Sequence, residues 1–293
     1  MPVARSILEH EWIFGAFLLL MWIRLTSVDS LTSADAAVFG LLLIANAAVV
    51  FATASRDTFL AWRLRLAFHP LAIGIVFVQM RSAVPAVNTW RADGLLMRLD
   101  EAILGATPSL IVQPFANLIL SEFFSLCYLI FFPYLISSIV IRFFGSTLLL
   151  RKFCVGLFTV YAVAFLGYML VPAVGPHQAI ANAFTLLPTW KISELTGAVV
   201  SAGSNGVDVF PSLHCAVPLF LLAFDWRHRR RRFWLYLPWC IGIWCSTLYL
   251  RYDYFVDLVA GAALAVVAIY LAHRHPSCSQ SESSQSATAL TNQ

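Results

Sequence analysis

The chain has 293 residues, of which 60% are hydrophobic and only 12% charged, and its mean hydropathy is +0.80. Soluble domains carry about 25% charged residues, so a water-soluble globule is excluded and an integral membrane protein is indicated. The net charge of +4 is concentrated in short loops, where it carries topology information and not a nucleic-acid footprint, so no nucleic-acid partner is expected.

In chain order, the first apolar run, from about Ile13 to Leu25, follows Arg5, Glu9, His10 and Glu11 and lacks a small-residue cleavage site. It reads as a retained helix and not as a removed signal peptide. Hydrophobic spacing predicts helices over about 12–29, 36–54, 66–84, 117–142, 151–172, 211–226, 233–251 and 255–272, eight spans near the length a bilayer requires. The fold class expected is therefore all-α, a polytopic transmembrane helix bundle of about eight spans. Basic residues assign its sides: Arg56, Arg63 and Arg65 after the second span, Arg142, Arg151 and Lys152 between the fourth and fifth, and Arg227 to Arg232 between the sixth and seventh. All three groups fall on one face, which the positive-inside rule makes cytoplasmic, together with both termini.

The opposite face receives the loops near 30–35, 84–114 and 175–210 and the turn around Tyr252 to Tyr254. Asn88 to Pro114 mixes Trp90, Arg91, Asp93, Arg98, Asp100 and Glu101 with apolar residues, and reads as an amphipathic segment at the interface, either an ordinary loop or a lid. The tail from Pro276 to Gln293 is rich in Ser, Gln and Thr without periodicity and is expected to be disordered. The six cysteines (Cys127, Cys154, Cys215, Cys240, Cys245, Cys278) fall mostly in apolar runs without CxxC spacing, so they read as small buried hydrophobes.

Two polar clusters stand out at helix mouths on the extracytoplasmic face. Gly206 to His214 includes Pro211-Ser212-Leu213-His214 at the start of the sixth span; a helix N-terminus with Ser and His offers free amides and side chains to a phosphate, or simply a capping Ser and a packed His. Tyr249 to Asp257 carries Arg251, Asp253 and Asp257 at the mouth of the eighth span. Arg251 matches the geometry of a phosphate clamp, while the i to i+4 spacing of Asp253 and Asp257 allows mutual repulsion, pairing with Arg251 or a divalent cation. His177, after Gly175-Pro176 at the end of the fifth span, points a further hydrogen-bonding group at the same mouth. His69-Pro70 and Glu122 lie within spans, where packing or kinking is the simpler role.

The order of these motifs resembles the type 2 phosphatidic acid phosphatase superfamily. Phe210-Pro211-Ser212-Leu213-His214, with Leu where many phosphatases carry Gly, and Tyr254-Phe255-Val256-Asp257 are most similar to the branch of inositol phosphorylceramide synthases and their bacterial relatives. The resemblance covers about Ala61 to Ala272. It implies two additional N-terminal transmembrane helices in 1–60, a six-helix catalytic core in 61–275, and a cytoplasmic tail in 276–293. It further implies phosphoryl or phosphodiester transfer on a membrane lipid substrate, with no cofactor and no metal.

By the same resemblance His214 acts as acid on the leaving group and Asp257 orients the nucleophile. Arg251, Ser212 and His177 are candidate phosphate contacts. The departure is Asp253, which stands where the family places its nucleophilic His; Ser246-Thr247 also stands where phosphatase members carry Ser-Arg. Three readings of Asp253 remain side by side: a replacement that silences the enzyme, a carboxylate nucleophile forming an aspartyl phosphate, or a site that binds phospholipid without turnover.

Overall fold

The computed structural model describes residues 7–28, 33–54 and 58–274. Among these the long helices are α1 (Glu9–Val28), α2 (Ala34–Ala54), α3 (Phe59–Val87), α6 (Leu118–Phe143), α7 (Thr147–Leu170), α10 (Leu213–His228), α11 (Arg230–Tyr249) and α12 (Phe255–Arg274). All eight expected helices are present, most with ends within a few residues of those read from the hydrophobic pattern. Four shorter helices lie in the connections: α4 (Asp93–Leu104), α5 (Pro108–Val112), α8 (Pro176–Ala179) and α9 (Lys191–Gly203). The only strand-like pairing among the described residues is an isolated parallel bridge between Ala173 and Asp208. Arg5, Arg56, Cys278 and the tail lie outside the described residues.

Six of the eight long helices have the length and apolarity of a membrane span. The exceptions are α11, which opens on three arginines, and α10, whose 16 residues reach only about 24 Å, less than a hydrocarbon core of about 30 Å. α10 is short because its N-terminus starts inside the bundle, beneath the 204–212 loop, where Ser212 and Leu213 are buried. α7 is the central helix, 72% buried over its apolar window where the other five spans are 28–39%. It packs against α1, α3, α10 and α12, while α11 lies against α6 and α10, and α2 lies against α1 and α3.

Arg63 and Arg65 are not loop cations as the basic pattern implied. α3 begins at Phe59, which places both in its first two turns, buried. Arg63 donates to the carbonyls of Phe143 (3.0 Å) and Gly145 (2.8 Å), satisfying acceptors that the end of α6 leaves free. Arg65 pairs with Glu11 of α1. At the same end Asp225 of α10 accepts from Arg142 of α6 at 2.7 Å, from Arg232 of α11 at 3.2 Å and from the Tyr134 hydroxyl at 3.2 Å. The clustered arginines thus close one end of the bundle with buried ion pairs, and the polar motifs lie at the other.

Removing one member of a buried charge network leaves the others unpaired, which typically costs about 3–5 kcal/mol. Asp225→Ala, which strands Arg142 and Arg232 side by side, is expected to lose stability of that order in reversible unfolding in detergent, against an unchanged value for a substitution at exposed Trp234.

Candidate active site

The first half of the site is set by the start of α10. Ser212 caps the helix, its Oγ accepting from the Cys215 amide at 3.2 Å, as a Ser before an apolar helix should. Its own amide donates to the carbonyl of Asp257 at 3.1 Å, which docks α12 onto α10. The approach is close: a Cβ on Gly261 of α12 would lie 2.5 Å from the Ser212 carbonyl oxygen. One residue into the helix, His214 turns toward α6, where its ring stacks on Tyr128 (centroids 4.4 Å apart) and meets Phe131 (4.5 Å). Its Nε2 is enclosed and has no hydrogen-bond partner.

The second half is the turn between α11 and α12. Arg251 adopts φ 70°, a left-handed conformation that is uncommon for a side chain of this size and is held here by its surroundings. Its carbonyl accepts from the His177 amide at 2.8 Å, and the Tyr252 and Asp253 amides turn back to the Thr247 carbonyl at 2.8 and 3.3 Å. This reversal brings Asp253 under the first motif, where its Oδ2 accepts from the Ser212 hydroxyl at 2.6 Å. Asp257, fully buried, accepts the Tyr254 amide on Oδ2 at 2.8 Å, while its Oδ1 has no partner. Burial pushes the Asp253 carboxyl up to about 7; the Ser212 hydroxyl opposes the shift, and the nearby Asp208 carboxylate adds to it.

The second half is held by carboxylates on α4. Asp93 and Asp100 share one face of that helix with Leu96, all buried, while Leu95, Leu99 and Ile103 are exposed on the other. Asp100 accepts the free amides of Phe255 (2.9 Å) and Val256 (3.0 Å) at the start of α12. Asp93 accepts from the Val174 and Gly175 amides (3.1 and 3.0 Å) and from the Tyr254 hydroxyl (3.0 Å). Gly175 has φ 85°, and a Cβ there would meet the Tyr252 carbonyl oxygen at 2.2 Å, so only glycine fits the passage between the α7 terminus and the Arg251 turn.

The structure therefore brings Ser212, His214, Asp253 and Asp257 together from three elements. His177 reaches the same group through aromatic contacts: its ring meets Tyr252 edge-on at 5.3 Å, and Tyr252 lies 5.1 Å from Tyr128, which stacks on His214. Burial holds the His177 imidazole below its ordinary value. The Arg251 guanidinium is taken up locally, donating to the Thr185 carbonyl at 2.8 Å and lying over the Phe184 ring at 4.2 Å. Glu122 caps α9, accepting from the Ile192 and Ser193 amides at 3.0 and 2.9 Å. Tyr128, Phe131 and Asp208 were not singled out from the sequence. Asp208, with Ser204 donating to its carboxylate at 2.7 Å, carried a signal in that it is an acid just ahead of the Pro-Ser-Leu-His start; the two aromatics carried none.

A largely apolar cavity of about 420 Å³ opens beside His214, walled by α3, α6, α7 and α9. Its lining runs along α6 from Tyr128 to Ile139 and along α7 from Tyr168 to Leu157, about 16 Å on each helix. The polar groups on its wall are His214, Asp208, Ser204 and three tyrosines. An ionisable cluster next to a hydrocarbon-lined slot is the arrangement that an amphiphile with a polar head and an apolar chain would fill.

The chain matches the family model described as the PAP2 superfamily over residues 94–271, more than half its length, and it belongs to that superfamily. Membership places it among phosphatase-type lipid enzymes of the membrane. A search of curated proteins and a search of solved structures each return no match.

Because the folded form holds a proton on Asp253 up to about pH 7 and an unfolded chain releases it near pH 4, the native state binds more protons across that window. Stability should be highest at the acid end and fall as pH rises from about 4 to 7. Asp208 and Asp100, also raised by burial, act with the same sign. Unfolding midpoints measured across this range should flatten in Asp253→Asn relative to the parent chain; an unchanged slope would mean that Asp253 is ionised in the fold throughout.

Proposed function

We propose that this chain is a membrane-embedded lipid phosphatase or phosphotransferase that acts on a lipid phosphate or phosphodiester at the extracytoplasmic face, with Asp253 at the nucleophile position. The observation that carries this reading is the 2.6 Å hydrogen bond from Ser212 to Asp253, which joins the two motifs into one site beside His214. The apolar cavity next to it fits the chain of a lipid. The arginine clusters at the opposite end of the bundle support this choice of membrane side. The first two helices are read as an addition to the catalytic core.

The chemistry proposed is in-line displacement at phosphorus. The ionised Asp253 carboxylate attacks, the bond from phosphorus to the lipid oxygen breaks, and His214 gives that oxygen its proton, leaving an aspartyl phosphate. His214, now neutral, takes a proton from water or from an acceptor hydroxyl, whose oxygen attacks the same phosphorus and releases the carboxylate. Water gives free phosphate; a lipid or polyol hydroxyl gives transfer, as in the synthase branch that the motifs resemble. His177 supplies a hydrogen bond to the phosphate oxygens, and Ser212, at the helix N-terminus, adds its hydroxyl by exchanging its Asp253 contact for them. Arg251 joins them only by exchanging its Thr185 contact for the substrate.

A second reading is favoured by one detail. Asp257 Oδ1 is enclosed without a partner, as it would be if the residue it orients in related enzymes, an imidazole, were missing from position 253. The site would then bind a phospholipid without turnover.

Phosphate release or exchange on a panel of lipid phosphates, compared for this chain, Asp253→His and His214→Ala, separates the readings. The proposal expects activity in the parent chain, a loss of about 10²–10⁴-fold in His214→Ala, and a hydroxylamine-labile phosphoenzyme. It also expects a bell-shaped pH profile of kcat/KM, its rising limb following ionisation of the Asp253 carboxyl, which burial raises to about 7, and its falling limb following loss of the His214 proton. Activity confined to Asp253→His would sink the carboxylate mechanism and leave the binding protein.

A further inference from the structure

A second buried polar cluster lies at the arginine end of the bundle, built by α1 and α3. His10 and Glu11 open α1, and Arg65 and His69 lie one turn apart on α3; all four are at most 2% exposed. Glu11 is held in place, its Oε1 accepting from Arg65 Nε at 2.6 Å and its Oε2 from Arg65 Nη2 and from the Leu8 amide at 2.8 Å. The His10 and His69 rings stand edge to face, 4.5 Å apart. His69 is surrounded by Phe14, Phe68 and Phe158, and the polar group facing its ring from its own helix is the Arg65 backbone.

Arg65 already completes the pairing of Glu11, so the ion pair does not account for the buried His69 imidazole. Enclosing an imidazole among phenylalanines is costly, and a phenylalanine at this position would fill the same space without that cost. One potential ligand atom from each of His10, Glu11 and His69 lies within 4.8 Å of the other two. Donors around a tetrahedral ion with bonds of about 2.1 Å stand about 3.4 Å apart, so small side-chain rotations bring these three onto one ion. Arg65 uses one lone pair of Oε1 and leaves another free, and by holding the carboxylate it acts as the outer partner that fixes a ligand's orientation. Glu11 also lines a groove of about 290 Å³ between α1 and α2.

We infer that His10, Glu11 and His69 form a divalent-metal site that clamps α1 to α3. Two imidazoles and one carboxylate suit Zn²⁺ best among divalent ions, with a water in the fourth position. The site is separate from the phosphate chemistry. Its three ligands all come from helices that precede the segment matched to the superfamily, so that family's reaction does not account for them.

The test uses the full chain, free of any affinity tag, in detergent micelles. After incubation with Zn²⁺ and desalting, elemental analysis should find one zinc per chain, and Co²⁺ in its place should give the visible absorption of a four-coordinate nitrogen and oxygen site. Zn²⁺ should raise the melting temperature and a chelator should reverse the rise. His69→Phe, chosen to keep the aromatic packing, should retain its elution profile and lose all three signals, and His10→Phe provides the same comparison if the first variant does not fold. No stoichiometric zinc in the parent chain, or zinc and cobalt signals that persist in the His10→Phe, His69→Phe double variant, would overturn the inference. Neither result bears on the activity proposed above.

Discussion

The hydrogen bonds from Asp100 to the first two amides of α12 are the contact on which the site depends. A helix that begins below the membrane surface has free N–H groups that water cannot reach, and something in the chain must accept them. Here a carboxylate from α4, 155 positions earlier in the sequence, does so. The same solution recurs at Glu122 for α9 and at Asp93 for the Val174–Gly175 turn. Each carboxylate removes a desolvation cost and, in doing so, fixes the position of a loop. Asp257, two residues into α12, inherits its place from Asp100, and Asp253 inherits its own from the turn that α12 terminates.

Much of the fold was legible because the bilayer sets both the length and the polarity of its helices. The start of α12 at Phe255 and the end of α1 at Val28 lie where the apolar pattern puts them. α9 was not legible: its residues Lys191–Gly203 mix polar and apolar side chains in a segment that reads as loop, and its start is stabilised by Glu122, an acceptor on another helix. Arg63 and Arg65 read as loop cations because the sequence does not show that carbonyls of the α6–α7 turn and a carboxylate of α1 wait for them. In both cases the missing information was the identity of a distant partner.

The candidate site divides in the same way. Ser212, His214, Asp253 and Asp257 were readable from their positions at helix mouths, and the structure gathers them. Tyr128 and Phe131, which flank His214, are ordinary members of an apolar helix until the fold turns them toward the imidazole. Arg251 illustrates the opposite case, since its residue type matches a phosphate clamp while its guanidinium is engaged by Thr185 and Phe184. Its left-handed backbone shapes the turn as much as its charge does: the carbonyl it presents to His177 ties the α7 exit to the α11 exit.

The hydrogen bond from the Ser212 amide to the Asp257 carbonyl has a consequence for the order in which the protein is made. The ribosome delivers α10 long before α12, so the Pro-Ser-Leu-His turn enters the membrane with its amide unanswered and with no α12 for its carbonyl oxygen to pack against. Only when α12 has been inserted and Gly261 lies against Ser212 do the two halves meet. The centre is thus assembled only after α12 is in place, and every nascent intermediate before that is a bundle without a site.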